Sequence, residues 1–190
     1  MKQSRSLSCE SASACSLLRA AGFACADDMT VFNALPQSYD NPHRGFVGPV
    51  DSEAGSLPPG AAQEKVGGYG AYVEPLQAGL AALGVTARYT YDANLDALRA
   101  LLDQGTPAMI IATHGLGMYG HQPVGFVPQD GGGEAVTVIR YEHSYAVVGY
   151  DAGGFWLIDP WSGSLDYADS ARLDADWARL GRQALWLAPG

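Results

Sequence analysis

Two short apolar runs late in the chain constrain its fold more than any other feature. His143 to Asp151 alternates around Tyr145, Val147 and Tyr150, and Phe155 to Ile158 is continuously apolar. Both read as β-strands, and Asp151-Ala152-Gly153-Gly154 between them has turn chemistry, so the pair reads as an antiparallel hairpin. In such a hairpin the start of one strand lies beside the end of the other. His143 opens the first strand and Asp159 closes the second, so the hairpin brings a base beside a carboxylate that can orient it. The partner still to be found is a nucleophile.

Three cysteines, Cys9, Cys15 and Cys25, lie near the start of the chain. Ser8 is an N-cap candidate, Glu10 falls in the first turn, and Ala12, Cys15, Leu17, Leu18 and Ala21 follow a helical period that Gly22 ends. Cys9 then opens a helix, where free backbone N–H groups and the macrodipole favour a thiolate. Cys15 and Cys25 read as small buried hydrophobes. With no C-x-x-C pair a structural zinc site is not expected, and an odd cysteine count argues against a disulfide framework. The spacing allows one bridge, Cys15–Cys25, which would leave Cys9 free. Lys2 and Arg5 followed by Cys15 to Cys25 faintly resemble a signal peptide, but Glu10 and Arg19 interrupt the apolar stretch. No targeting segment is therefore read here; a longer native N-terminus would leave a secreted or cell-surface location open.

The remaining chain reads as helices first and strands later, an α+β layout. Short helices are expected at Asp28 to Leu35, Tyr72 to Leu83, Leu95 to Leu102 and Leu173 to Leu180. Strands are expected at Val85 to Tyr91, Ala108 to Ala112, Val124 to Val127, Val136 to Tyr141 and Ala184 to Leu187, with Asp130-Gly131-Gly132-Gly133 as a turn. The 190 residues read as one domain, with a helical lobe over about 1–105 and a β lobe over about 106–190. Pro36 to Gly70 is a long Pro/Gly/Ser-rich loop carrying Tyr39, Phe46 and Tyr69, expected over or beside a cleft. His43 within it reads as a solvated loop histidine. Net charge is −9 with no basic run, which argues against nucleic-acid binding and attraction to anionic membranes. No apolar run approaches the length of a membrane span.

Cys9, His143 and Asp159 in that order supply a nucleophile, a base and an orienting carboxylate. Gln3, six residues before Cys9, would complete an oxyanion hole with the Cys9 backbone N–H. The pattern resembles the papain clan and, within it, the bacterial double-glycine leader peptidases and their stand-alone C-39-like relatives. The matching residues are Ser8 to Ser13, Pro42 to Gly48, Gly68-Tyr69-Gly70, His143 to Asp151 and Ile158 to Gly163. The resemblance implies a helical lobe packed on an antiparallel sheet and a peptide or protein substrate. It implies no cofactor or metal, and it gives Cys9, His143, Asp159 and Gln3 the catalytic roles named above. Glu10 replaces the glycine that usually follows the cysteine in bacteriocin-processing members, and no phosphate-binding loop is present, so double-glycine cleavage does not carry over. A thiol hydrolase is the leading expectation. An acyltransferase of the same clan and a non-catalytic binding module are the alternatives. Oligomeric state is not legible.

Overall fold

The computed structural model describes residues 1–61, 65–115, 121–130 and 133–188. In chain order the elements are α1 (Cys9–Ala20), α2 (Asp28–Phe32), β1 (Gln37–Ser38), β2 (Phe46–Val47), α3 (Val73–Ala82), β3 (Ala87–Thr90) and α4 (Leu95–Asp103). Then come β4 (Ala108–Thr113), β5 (Val124–Phe126), β6 (Val136–Val138), β7 (Glu142–Tyr150), β8 (Gly154–Ile158), β9 (Leu165–Asp169), α5 (Ser170–Ala178) and β10 (Ala184–Leu187). The expected α+β class holds. A six-stranded antiparallel sheet in the order β3-β10-β4-β7-β8-β9 carries helices on both faces.

Strand β4 shows why. All six of its residues are buried, as a continuous apolar run predicts for a strand covered twice. Successive side chains alternate between faces. Met109 and Ile111 join the core under α1 and α3, while Ala108, Ile110 and Ala112 join the core under α4 and α5. Leu98 of α4 and Trp177 of α5 are fully covered on that second face, and Trp177 Nε1 donates to the Gln183 carbonyl at 2.8 Å. The helix starts at Asp27, Asn94 and Asp169 are capped by side chains that accept from the third residue on, which satisfies one otherwise unpaired N–H at each.

The two halves of the chain interleave more than a division near residue 105 implies. Strand β3 from the first half closes one end of the sheet against β10, and α5 from the second half covers a face. Strand β9 has no counterpart in the sequence reading. It is an edge strand with one buried residue, Ala168, and with Leu165 and Tyr167 exposed, so no buried apolar face announces it. In the stretch that resembled a signal peptide, Leu17 and Leu18 of α1 are buried in the core while residues 19–24 are exposed. Cys15 and Cys25 form a disulfide, with Cα atoms 5.7 Å apart, and Cys9 is the free cysteine. The bridge ties the middle of α1 to the segment that leads into α2. The glycine turn between β5 and β6 falls partly outside the described residues. Among the described residues no helix is long and apolar enough to cross a membrane.

Candidate active site

Cys9 is the first residue of α1, as its spacing from Ser8 and Gly22 predicts. Ser8 occupies the N-cap position, but its hydroxyl makes no capping bond to the helix. It donates instead to Asp28 Oδ2 at 2.5 Å, and the same carboxylate oxygen accepts the Ser4 N–H at 2.7 Å. Asp28 on α2 thus fixes the turn that leads into the cysteine. Gln3 belongs to this turn. Its amide nitrogen donates to the carbonyls of Arg5 at 2.7 Å and Ser6 at 3.0 Å, and its backbone N–H donates to the Pro160 carbonyl at 2.7 Å. Both amide hydrogens are therefore engaged with backbone, and Gln3 is not among the residues lining the cavity at Cys9.

The hairpin of β7 and β8 does what its turn chemistry predicts. His143 Nε2 and Asp159 Oδ1 lie 2.7 Å apart, and the Trp161 N–H donates to the same oxygen at 2.8 Å. Burial pushes the Asp159 carboxyl up, but the hydrogen bond and charge of His143 more than offset it and hold the group below its ordinary range. With Nε2 on the aspartate, Nδ1 is the ring nitrogen left to move a proton. The ring is enclosed edge-on by His114 and Tyr145, with centroids 4.8 and 4.9 Å away. His114, at the end of β4, has its pKa lowered by burial and by the neighbouring His143.

Cys9 and His143 open onto one cavity of about 150 Å³. Leu7, Tyr69, Tyr141 and Trp161 give it apolar walls, and Ala54 to Ser56 of the long loop form part of its rim, where that loop was expected. No described hydrogen bond joins Cys9 to His143. The Cys9 thiol donates to Glu10 Oε2 at 3.0 Å, while Glu10 Oε1 accepts the Ala71 N–H at 2.7 Å. Glu142 stands close by, with both carboxyl oxygens buried and without a hydrogen-bond partner among the described residues. Burial, then the charges of Glu10 and Glu142, push the Cys9 thiol well above its ordinary range; a backbone hydrogen bond from Ser144 acts the other way. Burial raises Glu10 to about 7, and burial with the Glu10 charge raises Glu142 well above 4.5. The thiolate expected from the helix start is therefore not the resting form.

Glu10 and Glu142 are the groups that a search for a triad passes over. Each is the chain neighbour of a triad candidate, Cys9 and His143 respectively, and for Glu142 that adjacency is the sequence signal. His43 departs from its expectation as a solvated residue. Its Nδ1 lies 2.9 Å from Glu74 Oε1 and from the Tyr91 hydroxyl, and its ring meets Tyr72 edge-on. It clamps the long loop to α3 and is not among the residues lining the cavity at Cys9.

No curated protein matches the chain. A solved structure described as a candidate C39-like peptidase from Bacillus anthracis superposes with a TM-score of 0.77 at 22% identity, covering 100% of this chain and 92% of the other. That likeness concerns the fold. In sequence, residues 1–185 match the profile of the Peptidase_C39 like family, and the chain belongs to that family.

Proposed function

We propose that the protein is a thiol-dependent peptidase acting through Cys9, His143 and Asp159. The observation that carries the reading is that His143, bonded on its far side to Asp159, and the free cysteine Cys9 open onto a single cavity. His143 Nδ1 takes the thiol proton as Sγ bonds to the carbonyl carbon of a peptide. The tetrahedral oxyanion collapses, the C–N bond breaks, and the leaving amine takes the proton from the imidazolium. Water then attacks the thioester while His143 accepts its proton; the C–S bond breaks and the proton returns to sulfur. Asp159 holds the ring and stabilises its charged form.

The oxyanion forms beside the N-terminus of α1, where the Cys9 backbone N–H has no partner within the helix. Gln3 is the proposed second donor. For that role it must turn one amide hydrogen from the Ser6 carbonyl towards the substrate. The experiment is digestion of a peptide library read by mass spectrometry, with Cys9→Ala as control. Free acid products dependent on Cys9 support hydrolysis. New amide products in the presence of an added amine would identify acyl transfer instead. Turnover that survives Cys9→Ala would overturn the mechanism.

A further inference from the structure

We infer that Cys9, Glu10 and Glu142 form a binding site for a zinc-class divalent cation, and that the cation silences the thiol when bound. One ligand atom from each residue lies within 4.8 Å of the others. In a tetrahedral zinc site with bonds near 2.1 Å, ligand atoms stand about 3.4 Å apart. Cys9 Sγ and Glu10 Oε2, at 3.0 Å, reach that spacing by a few tenths of an ångström. The fourth corner falls on the cavity, because Cys9 and Glu142 both line it.

A second observation points to a ligand independently of the cluster. Both Glu142 carboxyl oxygens are buried and have no hydrogen-bond partner among the described residues, although a buried carboxyl ordinarily finds one. Among the described residues no ion pair reaches Glu10 or Glu142. Two acids therefore converge on one sulfur, and among the described residues neither is ion-paired to a basic side chain. Gly70 allows the convergence, since a Cβ there would lie 2.1 Å from Glu10 Oε1 and 3.2 Å from Glu142 Oε2.

The donor set selects the cation. A thiolate excludes magnesium and calcium, which take oxygen ligands, and sulfur with carboxylates suits zinc or cadmium. Binding breaks the Cys9 S–H bond and forms S–M. The thiol proton and any proton on the two carboxyls pass to solvent, with no change of oxidation state. The site rests on the three ligands alone; the silencing of turnover rests also on the peptidase reading.

The test uses the full chain with its Cys15–Cys25 bridge intact, so that Cys9 is the one thiol. Cadmium chloride is titrated in chelator-free buffer while the ultraviolet thiolate-to-cadmium band is followed, and zinc chloride then competes for the site. One equivalent should produce the band, and bound zinc should protect Cys9 from iodoacetamide. Glu142→Gln and, separately, Glu10→Gln should each weaken binding at least about 10-fold, with circular dichroism confirming the fold. His143→Ala should leave the band and affinity in place, which separates this site from the neighbouring His114, His143 and Asp159 group. Absence of the band, unchanged affinity in both glutamine variants, or loss of binding in His143→Ala would overturn the inference. Metal binding without peptide turnover would leave it standing and count against the peptidase alone.

Discussion

Replacing Gly70 by alanine tests whether the packing around Glu10 is as close as its geometry indicates. The added Cβ would lie 2.1 Å from Glu10 Oε1, and the backbone there has φ +139°. Holding a side chain in that conformation costs about 1–3 kcal/mol. Pushing Glu10 aside breaks its bond from the Ala71 N–H, a charge-assisted contact worth about 1.5–3 kcal/mol. Together these predict a loss near 4 kcal/mol, and for a domain of this size each kcal/mol lowers Tm by about 2–4 °C. Gly84→Ala is the control, because its φ is +78° but nothing lies within 4 Å of the added carbon. It should cost only the backbone strain. Thermal unfolding by calorimetry should therefore place Gly70→Ala about 10 °C below wild type and clearly below Gly84→Ala. The double variant Gly70→Ala/Glu10→Ala should be less damaged than the two single losses added, since the collision is gone. A Gly70→Ala variant no less stable than Gly84→Ala would refute the reasoning.

Three further outcomes are expected. Turnover on a peptide substrate should fall most in Cys9→Ala, nearly as far in His143→Ala and partially in Asp159→Asn, without additivity; Gln3→Ala should cost about 10²–10³ if its amide reaches the oxyanion and nothing if it only braces the turn. Thiol titration of the denatured chain should find one free cysteine before reduction and three after, and removing the bridge, which closes a loop of 10 residues, should cost about 3 kcal/mol. Asp159 has a depressed pKa in the fold, so its stabilising contribution is complete above the unfolded value of about 3.9 and is lost as pH falls through the lower folded value. Acid unfolding of Asp159→Asn should be shallower in that window, and an unchanged pH profile would show that the contact contributes nothing.

The hairpin was legible because its turn residues and alternation are local, and pairing geometry then determines what lies beside what. His143 and Asp159 come together for that reason alone. The Cys9 position at a helix start follows equally from local period and stop signals. Gln3 is a different case. Its distance along the chain from Cys9 is readable, but the direction of its amide is decided by which carbonyls the intervening turn presents, and those are Arg5 and Ser6. Likewise the role of His43 depends on Glu74 and Tyr91, which lie 31 and 48 residues away. Strand β9 escapes notice because an edge strand with one solvated face needs no apolar pattern.

The state of the nucleophile depends on a competition that sequence adjacency cannot weigh. A helix N-terminus stabilises a negative charge by about 0.3–1 kcal/mol, and up to about 2 when partly buried. A single carboxylate within 4.8 Å of the sulfur opposes a thiolate by about 3–4 kcal/mol at an effective dielectric of 20. Burial of Cys9, 5% exposed, adds to the opposition, and burial is the leading cause of its raised pKa. The acids win, so Cys9 rests as a thiol hydrogen-bonded to Glu10. Two conditions then favour a thiolate. In the proposed peptidase, His143 takes the proton during attack, so charge on sulfur is transient and passes directly into the new bond. In the proposed metal site, a dication offsets the two carboxylates and holds the sulfur in its ionised form without reacting. The same two acids that suppress idle thiolate are thus the groups that would make it a ligand, and turnover and cation binding exclude one another at this sulfur.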